Sequence, residues 1–236
     1  MKIYLYANRL VNVFYLPENV SGSYSFDIDD DEVSKLINVD ARDGKWVLFT
    51  TKECKLLVGK DFVEETILEV NTFYVLVRDN LKYLIFVEDN DDKCIQSYTY
   101  NNNFNFTIGT ENSTARYNCP YISNLSVSIV GQEDGKILFT LNQGEAFINK
   151  KQVINPKAYL NSGDEVELFG VRLLFVGKII LIMAASNVLQ IDANKAGLQP
   201  TRLENNEKLE NIDVKDKDLY EVDDYFSKAP RLRRTV

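Results

Sequence analysis

Short runs rich in Val, Ile, Leu, Phe and Tyr recur along the chain at intervals of about ten residues, with Asn, Asp and Gly between them. The clearest are Trp46 to Thr50, Lys55 to Val58, Phe73 to Val77, Tyr83 to Val87, Lys136 to Leu141, Glu165 to Phe169, Arg172 to Val176 and Lys178 to Met183. Runs of this length and spacing predict the strands of an all-β sandwich or barrel. Only Glu32 to Asn38 and the stretch after Thr201 have helical composition, and neither carries a sustained apolar stripe at helical period. The apolar run Ile179 to Ala185 is far shorter than the roughly twenty residues that span a bilayer, so it reads as a buried strand.

The pattern then repeats. Asp43-Gly44-Lys45 followed by Trp46-Val47-Leu48-Phe49-Thr50 matches Asp134-Gly135-Lys136 followed by Ile137-Leu138-Phe139-Thr140, and Leu56 to Lys60 falls opposite Phe147 to Lys151 at the same offset. Glu65 to Val70 lines up with Asp164 to Phe169 if the second copy has gained a loop around Asn155 to Asn161. The repeat predicts two tandem β-sandwich domains, 1–91 and 92–190, with the acidic stretch Glu88 to Asp92 between them. From 191 to 236 the periodicity fades, and Glu204 to Asp224 has the composition of a charged linker or tail.

Composition narrows the chemistry. The net charge is −8, from 35 acidic and 27 basic residues, and no basic stripe interrupts the first 200 residues, so nucleic acid is not expected as a partner. The three cysteines, Cys54, Cys94 and Cys119, are odd in number and widely spaced, which fits free thiols in a reducing compartment. The opening Met-Lys-Ile-Tyr-Leu-Tyr alternates like a strand and is not a signal peptide, which predicts a cytoplasmic location and discounts the Asn-x-Ser/Thr sites at Asn19, Asn105, Asn112 and Asn124. The absence of histidine removes Ser-His and Cys-His pairs and the commonest metal ligand. The acidic run Asp27 to Glu32 lacks the glycine and twelfth-position glutamate of a calcium loop and reads as a solvated turn. No Gly-x-x-x-x-Gly-Lys-Ser/Thr loop occurs. Neither catalysis, a cofactor nor a metal is expected.

The second copy resembles a forkhead-associated domain. Phe106-Thr107-Ile108-Gly109 opens that pattern, Asn124 to Val130 sits where a serine-containing strand follows, and Phe147-Ile148-Asn149 fits a later turn. Leu160-Asn161-Ser162-Gly163-Asp164-Glu165-Val166, with Gly170, fits the closing Leu-x-x-Gly-Asp element. A tandem of such domains before a charged linker and Pro230-Arg231-Leu232-Arg233-Arg234 is similar to the start of the membrane ATPases of type VII secretion, of the FtsK/SpoIIIE class. That resemblance implies a FHA/SMAD-like fold and a non-catalytic interaction module in the cytoplasmic part of a cell-membrane protein. Its partner would be a secretion-system subunit or its own neighbouring domains, with the ATPase and membrane segments after residue 236. The basic cluster would then be a cytoplasmic membrane flank.

The departures from the family pattern concern the phosphate pocket. Family members that read phosphothreonine place an arginine after the first glycine, where this chain has Thr110, whose hydroxyl cannot replace a guanidinium fork. Ser126 and Ser128 are the serine candidates and Asn149 the late asparagine, with Asn142 its rival. In the first copy Tyr24-Ser25-Phe26-Asp27 replaces the glycine-containing element. These four positions, Thr110, Ser126, Ser128 and Asn149, define a degenerate peptide-binding loop. The alternative is a phosphopeptide reader whose pocket is rebuilt around Ser126, Ser128, Asn149 and Lys150 or Lys151.

Overall fold

The computed structural model describes residues 1–7, 9–25, 37–51, 54–78, 81–88, 95–110, 112–201 and 233–234. The acidic turn Asp27 to Glu32, Asp89 to Asp92 and the stretch 204–224 lie outside these residues. So does most of the stretch of helical composition from Glu32 to Asn38, of which Ile37 and Asn38 begin a strand, with Ile37 buried.

The first half contains β1 (Lys2–Ala7), β2 (Leu10–Tyr15), β3 (Ser23–Ser25), β4 (Ile37–Arg42), β5 (Lys45–Thr50), β6 (Lys55–Val58), β7 (Asp61–Val63), β8 (Glu65–Ile67), β9 (Thr72–Arg78) and β10 (Leu81–Glu88). One sheet runs β2-β1-β10-β9-β6-β7 and the other β3-β4-β5-β8. Between them lies a core that includes Ile3, Leu5, Val39, Trp46, Leu48, Leu56, Tyr74, Leu76, Ile85 and Val87. The β4–β5 turn is Asp43-Gly44 with φ of 50° and 72°, the left-handed pair that a two-residue hairpin needs to match strand twist.

The second half contains β11 (Ile95–Tyr100), β12 (Asn105–Gly109), β13 (Ala115–Tyr117), β14 (Ser126–Gly131), β15 (Ile137–Gln143), β16 (Phe147–Ile148), β17 (Lys151–Gln152) and β18 (Lys157–Leu160). After these come β19 (Glu165–Leu168), β20 (Val171–Val176), β21 (Ile179–Ala184), β22 (Leu189–Ile191), the short helix α1 (Ala193–Ala196) and β23 (Leu198–Pro200). Its sheets run β23-β11-β21-β20-β19-β16-β17 and β18-β15-β14-β12-β13-β22. Phe104, Phe106, Ile108, Val127, Ile129, Phe139, Val166, Leu173, Phe175 and Ile180 fill the space between. β24 (Arg233–Arg234) pairs with β3. Among the described residues no helix is long and apolar enough to cross a membrane.

The pairing adjusts the repeat. β18 lies on β15 as β8 lies on β5, and β19 sits between β16 and β20 as β9 sits between β6 and β10. The counterpart of Glu65–Ile67 is therefore Lys157–Leu160, inside the segment expected to be an inserted loop. Lys-Ala-Tyr-Leu is too short and too mixed to stand out as a strand without the pairing partner that makes it one.

The halves share one sheet. Lys151 pairs with Leu10, the Val11 amide donates to the Lys150 carbonyl at 3.1 Å, and the Gln152 amide donates to the Arg9 carbonyl at 2.9 Å, joining β17 to β2. The outer face of the first-half sheet is covered as well. Alternate residues of β1, β9 and β10 point to opposite faces. Ile3, Leu5, Tyr74, Leu76, Ile85 and Val87 enter the first core, while Tyr4, Tyr6, Phe73, Val75, Leu84 and Phe86 bury against the second half. Burial on both faces explains why these strands read as unbroken apolar runs.

Candidate functional site

Register locates the loop end of the second half. Gly109 pairs with Ser126, and Ser126 with Gln143, so β12 ends, β14 begins and β15 ends on one side of the sandwich. Thr110 follows Gly109 there, half-buried, and the Asn142 Nδ2 lies 3.5 Å from the Ser126 hydroxyl. Ser128 sits two pairs further along β14, between Thr107 and Thr140, on the same half-buried face as Ser126. Asn149 is at the opposite end. Its amide Nδ2 donates to Asp164 Oδ1 at 2.8 Å and its Oδ1 accepts from the Glu165 amide at 3.0 Å, locking the β16–β17 turn to the turn before β19. The structure thus brings Thr110, Ser126 and Asn142 together and leaves Asn149 tied to Asp164.

The loop end rests on the outer sheet face of the first half. At the seam the Tyr6 ring makes an edge contact with Phe169, centroids 4.7 Å apart, and lies 5.6 Å from Phe147. Its hydroxyl donates to Glu167 Oε1 at 2.7 Å and accepts from the Gly170 amide at 2.8 Å. Glu167 is only 1% exposed, and its Oε2 has no hydrogen-bond partner. Burial pushes this carboxyl up to about 7, opposed by the Tyr6 hydrogen bond. Beside it, Arg172 Nη2 reaches Glu88 Oε1 at 2.8 Å and Oε2 at 3.0 Å, its guanidinium 5.2 Å from the Tyr4 ring centroid. The Tyr4 hydroxyl donates to the same carboxylate at 2.9 Å. On the other flank, the Tyr121 hydroxyl accepts from the Gly59 amide at 2.6 Å.

Contact is incomplete, and a cleft of about 680 Å³ remains between the halves. Its floor is the sheet of the first half, with Tyr6, Leu57, Val75 and Leu84. The facing wall is the β13–β14 loop from Tyr121 to Asn124 and the β15–β16 loop at Gly144 and Glu145, with Phe147 behind. Arg9 and Lys82 contribute cations. None of these residues stands out in the sequence, where Tyr6 and Leu84 are core-strand positions and Arg9 a turn residue. A charge in the otherwise apolar run Val166-Glu167-Leu168-Phe169 is the one local sign of the seam.

Little reactive chemistry is assembled. Among the described residues no group of three or more Cys, Asp or Glu is arranged to hold a metal ion. The Cys119 thiol is buried, and burial raises its pKa, which leaves it a poor nucleophile.

The fold formed by these sheets is that of forkhead-associated (FHA) domains. Among solved structures the chain is similar to the N-terminal FHA domain from EssC, a component of the bacterial type VII secretion apparatus. The TM-score is 0.55 at 11% identity, and the match covers 85% of this chain and 97% of that one. No protein-family model matches the chain, and no curated protein matches it in sequence.

Proposed function

We propose that this chain is a non-catalytic protein-interaction module in the cytoplasmic part of a type VII secretion membrane ATPase. It assembles or regulates the secretion complex and does so without reading phosphothreonine. The membrane-spanning and ATP-driven parts of that parent lie outside this stretch. The fold likeness supports the setting. The observation that carries the reading is the placement of the second half's loop end. It has Thr110 where a phosphate clamp needs arginine, and it rests on the first half with a cleft left open to a partner. The phosphopeptide alternative draws its support from Ser126 and Asn142, which meet at the loop mouth.

Calorimetric titration with a degenerate phosphothreonine peptide library, and in parallel with the cytoplasmic domain of a secretion-system subunit, separates the two. Binding of the subunit domain with no heat from the phosphopeptides is expected. Binding of phosphopeptides but not of their unphosphorylated forms would overturn the proposal in favour of the alternative.

A further inference from the structure

Arg9 and Lys82 line the cleft, and the register of the first-half sheet puts Lys55, just outside that lining, on the same sheet face as Lys82. Lys55 pairs with Val77 and Val77 with Lys82, so both lysines lie on the face that carries Leu57, Val75 and Leu84 two pairs further in. The β1–β2 turn brings Arg9 alongside, and its left-handed φ of 64° belongs to that turn. All three side chains are exposed, and none has an ion-pair partner among the described residues. Lys55 lies 5.7 Å from the Phe62 ring centroid. In a chain of net charge −8, three exposed cations beside one apolar floor offer charge complementarity to an acidic partner.

We propose that the cleft takes an extended acidic peptide segment of a partner protein, with carboxylates on Lys55, Lys82 and Arg9 and apolar side chains on the floor between the halves. Neighbouring strands are about 4.8 Å apart, so the row from β6 across β9 and β10 to the β1–β2 turn spans roughly 15 Å. An extended chain covers that in four or five residues at about 3.3 Å each, and its alternating side chains divide acids from apolar groups. Leu57, Val75 and Leu84 suit the apolar set. Among the described residues Glu145, on the opposite wall, is the one acid lining the cleft, and it opposes such a ligand. This inference rests on the reading of the chain as an interaction module and specifies the partner's chemistry.

The test is fluorescence anisotropy with three labelled probes: a Glu-Leu-Glu-Leu-Glu-Tyr peptide, its Gln-for-Glu counterpart, and a twelve-nucleotide oligothymidylate. The Glu peptide binds the wild type, more weakly as salt is raised, and the joint reversal Arg9→Glu with Lys82→Glu weakens it by about tenfold or more. Glu145→Gln strengthens binding about two- to threefold. Since all the altered side chains are exposed, unchanged circular dichroism controls for folding, and Lys82→Gln alone substitutes if the double reversal fails to fold. Equal binding of the Gln peptide, or charge reversal without effect, overturns the proposal, and tighter binding of oligothymidylate overturns it in favour of nucleic acid. A secretion-subunit domain that binds wild type and double reversal equally would leave the module reading intact while removing this site.

Discussion

In the first half, β1, β9 and β10 bury one set of alternate residues in their own core and the other set under the second half. In the second half, β20 and β21 alternate buried positions with half-exposed ones. The same sheet position is thus an interior layer in one copy and a surface in the other. The edges differ too: β10 pairs directly with β1, whereas β21 is interposed between β20 and β11, and β23 closes the edge beyond β11. Because the loop end of the second copy lies against a sheet face, the loops that would meet a ligand in a lone sandwich are partly held by intramolecular contacts. What remains open is the cleft.

The strongest way to break this asymmetry is at Gly170, which has φ of 82° and sits where a Cβ would come within 2.9 Å of the Phe73 ring and 3.1 Å of the Phe86 ring. Gly170→Val adds positive-φ strain and overpacking at the seam, together about 3 kcal/mol. Urea unfolding monitored by Trp46 fluorescence should show that loss, and a change below about 1 kcal/mol would mean the seam is loosely packed.

A pH-dependent effect follows from Glu167. Its carboxyl has a pKa of about 7 in the fold against an ordinary 4.5. Below pH 4.5 it is neutral in both states. As pH rises to about 7 the unfolded chain releases a proton that the folded chain keeps, so stability falls across that window by up to about 3 kcal/mol and levels off above it. Glu167→Gln keeps an acceptor for Tyr6 and should remove this slope, leaving the variant more stable than wild type at pH 8. An unchanged pH dependence of the urea midpoint would show that the slope has another source.

The all-β class was legible because apolar runs of strand length are punctuated by turn residues, and the Asp-Gly pairs at 43–44 and 134–135 marked equivalent hairpins in both copies. The edge strand β18 was hidden because its four residues gain identity only from pairing with β15. β11, Ile-Gln-Ser-Tyr-Thr-Tyr, was missed because its polar residues weaken the apolar run, although Tyr98 is buried. At the candidate site, the serines could be set on one strand face from alternation alone. The partnership of Asn149 with Asp164 joins residues fifteen apart through a turn, and no local pattern encodes it. The seam was illegible for a further reason. A strand buried against two layers carries the same apolar run as any central strand, so Tyr4, Tyr6 and Phe86 show nothing of what covers them.

The central claim is that the two copies are fused through a buried seam, and urea unfolding read from each half at once tests it most directly. Trp46 is the only tryptophan of the chain and lies in the first core, so its fluorescence follows the first half. Hydrogen exchange in peptides from β12 to β15 follows the second. Fusion predicts coincident midpoints in the wild type, separating in Gly170→Val; two well-separated transitions in the wild type would show that the halves fold and open independently.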